Sequence, residues 1–189
     1  MQRLVPTVAM LAAAALAWLA VAAVAAPSSS SALVATCTAR QLHATVKGSS
    51  GAAGTVILRV ALSNAGTRCT IAGYPLLELH RKTQRMPTRT VRGGLPLLET
   101  TADTVTLAPG GSTYLLVAYS DTPTRVARDT AAVGFSPCPA ASGVRITVPG
   151  WQRAVEVPAT IVACNGGTLR ISPFLHPAGL PAGPAAPTG

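Results

Sequence analysis

The chain has 189 residues, enough for one domain with a real core, since a domain of about 150 residues buries roughly 70% of its unfolded surface. Its 15 Lys and Arg against 6 Asp and Glu give a formal net charge of +9. A surplus of this size supports solubility and weak attraction to anionic surfaces, and does not by itself establish a nucleic-acid partner.

In chain order, Arg3 is the only charge before an unbroken apolar run from Val8 to Ala26 that ends in Ala23-Val24-Ala25. Small residues stand where signal peptidase needs them, so residues 1–25 are expected to be a cleaved signal peptide. The rival is an uncleaved anchor, since about 18 apolar residues can span a bilayer. Membrane contact is expected only in that case. A lipoprotein is disfavoured: Cys37 lies well past the apolar run, and Thr36 stands where a lipobox needs Gly or Ala. Residues 26–35 are Ser- and Ala-rich and read as a flexible leader.

From Cys37 the pattern changes. "TARQLHATV" puts Leu42, Ala44 and Val46 on one face, and "KGSSGAAG" reads as a loop. "TVILRVALSN" sets Val56, Leu58, Val60 and Leu62 at alternate positions, the mark of a half-buried strand. "GYPLLELH" reads as a further strand, followed by the polar, basic "HRKTQRMPTRTVRGG". "DTVTLAPGGSTYLLVAYS" is two strands about a Pro-Gly-Gly turn, either a hairpin or a sheet-to-sheet connection. After a loop at 121–142, "GVRITVP", "AVEVPATIVAC" and "GTLRISPF" supply three more strands. No segment beyond the leader has sustained helical periodicity. Many short strands with frequent turn signals predict an all-β fold, a β-sandwich over residues 36–174. Residues 175–189, "LHPAGLPAGPAAPTG", carry too little bulky apolar surface to offset ordering and read as a disordered tail.

The stretch "SNAGTRCTIAGYP", residues 63–75, reads as a structural corner. Asn64 and Gly66 accept positive φ and can reverse the chain, Gly73 gives Tyr74 room to fold back, and Pro75 ends local hydrogen bonding. A phosphate loop would need a helix N-terminus and usually a Lys followed by Ser or Thr, none of which follows.

Four cysteines, Cys37, Cys69, Cys138 and Cys164, remain after the leader. An even count in an exported chain reads as two disulfides. Metal is disfavoured, because there is no Cys-x-x-Cys pair and His43, His80 and His176 are scattered.

The order Leu62-Ser63-Asn64-Ala65-Gly66, Cys69, Gly73-Tyr74-Pro75, Leu107, Pro109-Gly110-Gly111, Cys138, Val148-Pro149, Cys164 with Gly167, and Ser172-Pro173 resembles the domain-of-unknown-function 4232 family of exported actinobacterial proteins. The resemblance covers about residues 36–174. It implies an immunoglobulin-like β-sandwich in secreted proteins or lipoproteins, with no established activity. This chain departs from the lipoprotein members by its lack of a lipobox. Four cysteines allow three connectivities. The pairing Cys37 with Cys69 and Cys138 with Cys164 is expected, since each joins segments that can be sheet neighbours.

Enzyme motifs are missing. There is no Gly-x-Ser-x-Gly elbow, the cysteines are expected to be paired rather than nucleophilic, and no motif unites any two of Glu78, Glu99, Asp103, Asp121, Asp129 and Glu156. No catalytic residue and no cofactor is assigned. The one uneven surface is His80 to Arg92, with Arg81, Lys82, Arg85, Arg89 and Arg92 as candidate anion-binding residues. Its plain reading is a solvated hairpin or loop, and its sharper one an anion-binding edge for envelope phosphate polymers, acidic glycans or lipid headgroups. Nucleic acid is disfavoured, because no aromatic residues interleave with the basic ones. Trp151, beside the Pro149-Gly150 turn, is expected to cover one end of the core rather than stand as an exposed contact. The expectation is a monomeric, extracytoplasmic, non-catalytic binding or structural module whose partner is an envelope component or a protein. The alternative is a small secreted hydrolase with a site assembled from distant loops.

Overall fold

The computed structural model describes residues 33–123, 125–126, 134–135 and 138–179. The expected signal peptide, the leader as far as residue 32 and the tail from residue 180 lie outside the described residues.

Thirteen strands are described: β1 (Leu42–Ala52), β2 (Thr55–Asn64), β3 (Cys69–Ala72), β4 (Leu76–Arg81), β5 (Gln84–Arg85), β6 (Arg89–Arg92), β7 (Thr104–Leu107), β8 (Ser112–Ser120), β9 (Arg125–Val126), β10 (Gly134–Phe135), β11 (Ala140–Thr147), β12 (Val155–Val162) and β13 (Thr168–Ile171). They form a five-stranded sheet in the order β1-β2-β8-β13-β6, a four-stranded sheet in the order β12-β11-β4-β5, and the two pairs β3-β7 and β9-β10. All pairings are antiparallel except β13 with β6. The molecule is β-rich, as the alternating runs predict.

Alternation decides what meets in the middle. Leu58, Val60 and Leu62 of β2, Leu115 and Val117 of β8, and Leu169 and Ile171 of β13 share one core with Leu77 and Leu79 of β4, Val144 and Ile146 of β11, and Val155, Val157 and Ile161 of β12. Successive side chains of a strand point to opposite faces, so each of these runs buries every second residue. β8 buries both faces: Leu116 and Ala118 pack in a second cluster with Leu98 and Leu175.

The Pro-Gly-Gly turn is a sheet-to-sheet connection. β7 pairs with β3, whereas β8 lies between β2 and β13. The disulfides are Cys37–Cys69 and Cys138–Cys164, the expected pairing. Two such bonds fit an oxidising, extracytoplasmic environment. Among the described residues no helix is long and apolar enough to cross a membrane.

Several local expectations are corrected. "KGSSGAAG" is strand rather than loop: β1 runs to Ala52, kinked between Val46 and Gly48, and turns through Ala53 and Gly54, both at positive φ. Consecutive positive φ values suit the right-handed twist of a two-residue hairpin, and pairing with β2 orders a small, polar stretch that composition alone leaves loose. The loop expected at 121–142 contains β9 and β10, and β11 starts at Ala140. Most of the rest of that loop, 127–133 and 136–137, lies outside the described residues. The ordered chain does not stop at 174. Leu175 is buried and exchanges two backbone hydrogen bonds with Tyr114, of 2.8 and 3.1 Å. Nor is all of 26–35 leader, for the carbonyl of Ala35 accepts from the Thr70 N–H at 2.9 Å.

The 63–75 stretch is a corner, by a different mechanism from the one expected. Asn64 and Gly66 keep negative φ, and only Gly73 takes the left-handed conformation. Asn64 works through its side chain. It is 1% exposed, its amide nitrogen donates to the carbonyls of Thr67, Leu107 and Ala108, and its oxygen accepts from the Gly66 N–H. Gly66 is required for space, since a Cβ there would meet the Gln41 side chain at 2.7 Å.

Candidate functional site

The Arg81–Arg92 segment carries the chain from one sheet to the other. Arg81 ends β4 and Arg85 lies on β5, the edge of the four-stranded sheet. Arg89 and Arg92 lie on β6, the edge of the five-stranded sheet. Thr88 and Thr90 stitch the crossing: their hydroxyls accept from the Leu79 and Leu77 N–H groups, and the Thr90 hydroxyl also donates to the Leu77 carbonyl. The five cations therefore occupy one side of the molecule, divided between two edges.

Their side chains are not equally available. Arg81 donates through Nε to the Ala140 carbonyl at 2.8 Å. Arg85 Nε lies 2.8 Å from Glu78 Oε2, and Arg92 sits 5.2 Å above the Tyr74 ring. Lys82 occupies the β4–β5 turn at φ 53°, with its N–H on the Ser142 hydroxyl. Arg89 is exposed and has no side-chain partner among the described residues. A guanidinium has five N–H donors, so the Nε contacts of Arg81 and Arg85 orient each fork and leave the N–H groups of the terminal nitrogens for other partners.

Under this hairpin lies His80, 9% exposed. Its Nδ1–H donates to the Lys82 carbonyl at 2.8 Å, while Nε2 is buried without a partner. Gly143 is required beside it, for a Cβ there would approach the His80 Nε2 at 2.6 Å.

Sequence motifs show no pair of carboxylates, yet the fold gathers two. Glu78 and Glu156 flank Arg145 in cross-strand register on β4, β12 and β11. Arg145 Nε is 2.9 Å from Glu156 Oε1, and its terminal nitrogen 3.8 Å from Glu78 Oε1. With Arg85 this makes an alternating charge ladder across the whole four-stranded sheet. One signal was readable: Glu78, Arg145 and Glu156 each sit between two apolar residues of an alternating run, which marks an outward position. The register that aligns them was not. Both carboxylates are held by guanidinium, so the ladder ties strands together.

Trp151 is half-buried against the core, and its indole N–H donates to the Cys37 carbonyl at 2.8 Å. It covers one end of the core, as expected. Among the described residues no group of three or more His, Cys, Asp or Glu side chains is placed to hold a metal. Elsewhere, burial and, second, the Asp121 carboxylate push the Tyr119 hydroxyl above its ordinary pKa.

Residues 37–175 match the family described as domain of unknown function (DUF4232). No curated protein matches the chain, and no solved structure matches it.

Proposed function

Since this chain belongs to the domain-of-unknown-function 4232 family, a description that assigns no activity, we propose from its own surface that it is an exported, monomeric immunoglobulin-like β-sandwich acting as a non-catalytic binding module. Its recognition element is the basic hairpin edge formed by Arg81, Lys82, Arg85, Arg89 and Arg92. The ligand class is an anionic component of the cell envelope.

One observation carries the reading. Arg81 and Arg85 are each anchored through Nε on an exposed strand edge, so their forks are oriented before a ligand arrives. A pre-set guanidinium loses less side-chain freedom on binding phosphate or carboxylate than a free one does. Lys82 and Arg89 add charge beside them without geometric demand. Two disulfides in the oxidised chain support an extracytoplasmic site of action.

The test is binding of the full oxidised chain to envelope fractions across a salt series, beside a variant with all five basic residues changed to Ala. Salt screens exposed charges with a Debye length near 10 Å at 0.1 M. The expected result is binding that falls steeply with salt and is lost in the variant. Equal binding by both proteins, or none by either, overturns the assignment.

A further inference from the structure

We propose that the groove between the short 3-10 turn Ala39–Gln41 and the β11–β12 turn binds a carboxylated saccharide. It lies away from the basic hairpin: Ala39–Gln41 leads into β1 and the turn leads into β12, the edge strands opposite β6 and β5. The inference therefore goes beyond the function proposed above and uses none of its residues.

The groove is open to solvent and has a volume of about 350 Å³, at the lower end of the roughly 300–1,000 Å³ of small-ligand sites. Trp151 forms its apolar surface, with Ala39 the one aliphatic side chain; Thr38, Arg40, Gln152 and Arg153 line the rest, with Gly150. Among the described residues no carboxylate lines it. Arg40 and Arg153 are exposed and have no side-chain partner among the described residues. Two cations thus flank one aromatic ring, with no acidic side chain beside them among the described residues.

The state of the indole narrows the ligand. Its only polar atom already donates to the Cys37 carbonyl, so the part of the ring that lines the groove offers a ligand carbon contact and no donor. The face of an aromatic ring is negative and attracts the electropositive C–H face of a pyranose. Guanidinium groups bind carboxylate through paired N–H donors. Thr38 and Gln152 supply polar contacts, and among the described residues the apolar lining is limited to Trp151 and Ala39. A sugar ring bearing carboxylates satisfies all of these surfaces together.

The backbone of both walls is tied down by local contacts. One is held by the Cys37–Cys69 disulfide and by Gln41, whose side-chain oxygen accepts from the Thr38 N–H and hydroxyl at 2.9 Å each. The other is closed by the Trp151 N–H on the Val148 carbonyl at 2.9 Å, and Gly150 takes the φ of 91° that the turn requires.

The test uses the full oxidised chain with Trp18→Phe, which leaves Trp151 as the single indole. Trigalacturonate, neutral maltotriose and hexaglutamate are titrated, each read by indole emission and by calorimetry. Saturable binding of trigalacturonate is expected, weakened on the order of tenfold or more by Arg40→Ala with Arg153→Ala, and unchanged in the five-residue hairpin variant. Tenfold corresponds to about 1.4 kcal/mol, the scale of one lost charge-assisted hydrogen bond. Maltotriose should bind far more weakly. The proposal falls if trigalacturonate does not saturate, if the double variant binds as well as the parent, or if hexaglutamate or maltotriose matches trigalacturonate.

Discussion

The Arg81–Arg92 edge and the Arg40–Arg153 groove are two concentrations of positive charge on opposite sides of the molecule, and they are assembled in opposite ways. At the edge, five cations within twelve residues of chain are spread over two sheets. Arg81 reaches a carbonyl, Arg85 a carboxylate and Arg92 an aromatic ring. In the groove, two cations more than a hundred residues apart in sequence are brought to one indole and have no side-chain partner among the described residues. Density along the chain thus produced a surface whose cations mostly have structural contacts. Distance along the chain produced a pair, Arg40 and Arg153, in which neither member has a side-chain contact among the described residues.

Breaking one region while sparing the other tests this contrast. The largest effect is expected from Cys37→Ala with Cys69→Ala. The bond spans 32 residues, and in the chain-entropy model closing a loop of that size contributes about 3–4 kcal/mol. Denaturant unfolding should show a loss of that order. The same variant frees the wall that carries Cys37, so Trp151 emission should shift to the red while salt-sensitive envelope binding persists. If both binding activities are lost together in protein that remains folded, the two regions are not independent.

Gly167→Ala attacks the opposite side. Gly167 has φ 75°, and a Cβ on it would run into the carbonyl oxygen of Pro87, at the base of the basic segment. Backbone strain of this kind costs about 1–3 kcal/mol, and the clash forces β6 away from β13, whose pairing starts at Arg89 and Thr168. Thermal denaturation should report the loss. Envelope binding should fall and trigalacturonate binding should not. An unchanged melting temperature would mean that this contact does not hold the segment.

How far these regions were legible in the sequence follows from the range of the interactions. Alternation in "TVILRVALSN" revealed β2, and an apolar run after a Pro-Gly-Gly turn, "TYLLVAYS", revealed β8, because both signals are written in the local order of residues. Cysteine number and strand adjacency gave the disulfides. Strand in "KGSSGAAG" was hidden, since its order comes from cross-strand pairing with Val56 to Arg59 rather than from its own composition. Leu175 was hidden for the same reason: its partners Thr113 and Tyr114 lie some sixty residues away. Asn64 was recognised as a corner residue, but its bonds to Leu107 and Ala108 depend on where the next sheet-to-sheet turn folds. Arg40 and Arg153 stood alone in sequence, each unremarkable until the 3-10 turn Ala39–Gln41 and the β11–β12 turn met at Trp151.

A smaller effect sharpens the contrast at the hairpin. Glu78 holds Arg85 and, more loosely, Arg145. Glu78→Gln removes a partly exposed pair of the kind worth about 0.2–1 kcal/mol, so the melting temperature should scarcely move. Arg85 then loses the contact that orients its fork, and envelope binding at low salt should weaken modestly. Stronger binding would show that Glu78 competes with the ligand for Arg85 rather than positioning it.

The smallest effect at neutral pH belongs to Tyr119, in the core that both regions share. Its hydroxyl keeps its proton more tightly in the folded chain than in the unfolded one, because burial first, and the Asp121 carboxylate second, disfavour the phenolate. Stability from this source is whole below about pH 10, where an unfolded tyrosine titrates, and is lost as pH rises beyond that value. Tyr119→Phe should leave unfolding near neutral pH almost unchanged and flatten the decline above pH 10. Because the core supports both edges, alkaline destabilisation in the parent chain should loosen the hairpin and the groove together, in contrast to the selective losses expected from the disulfide and Gly167 variants. A parent chain whose unfolding midpoint does not fall above pH 10 would remove Tyr119 from this role and leave the two edges without a common titrating group beneath them.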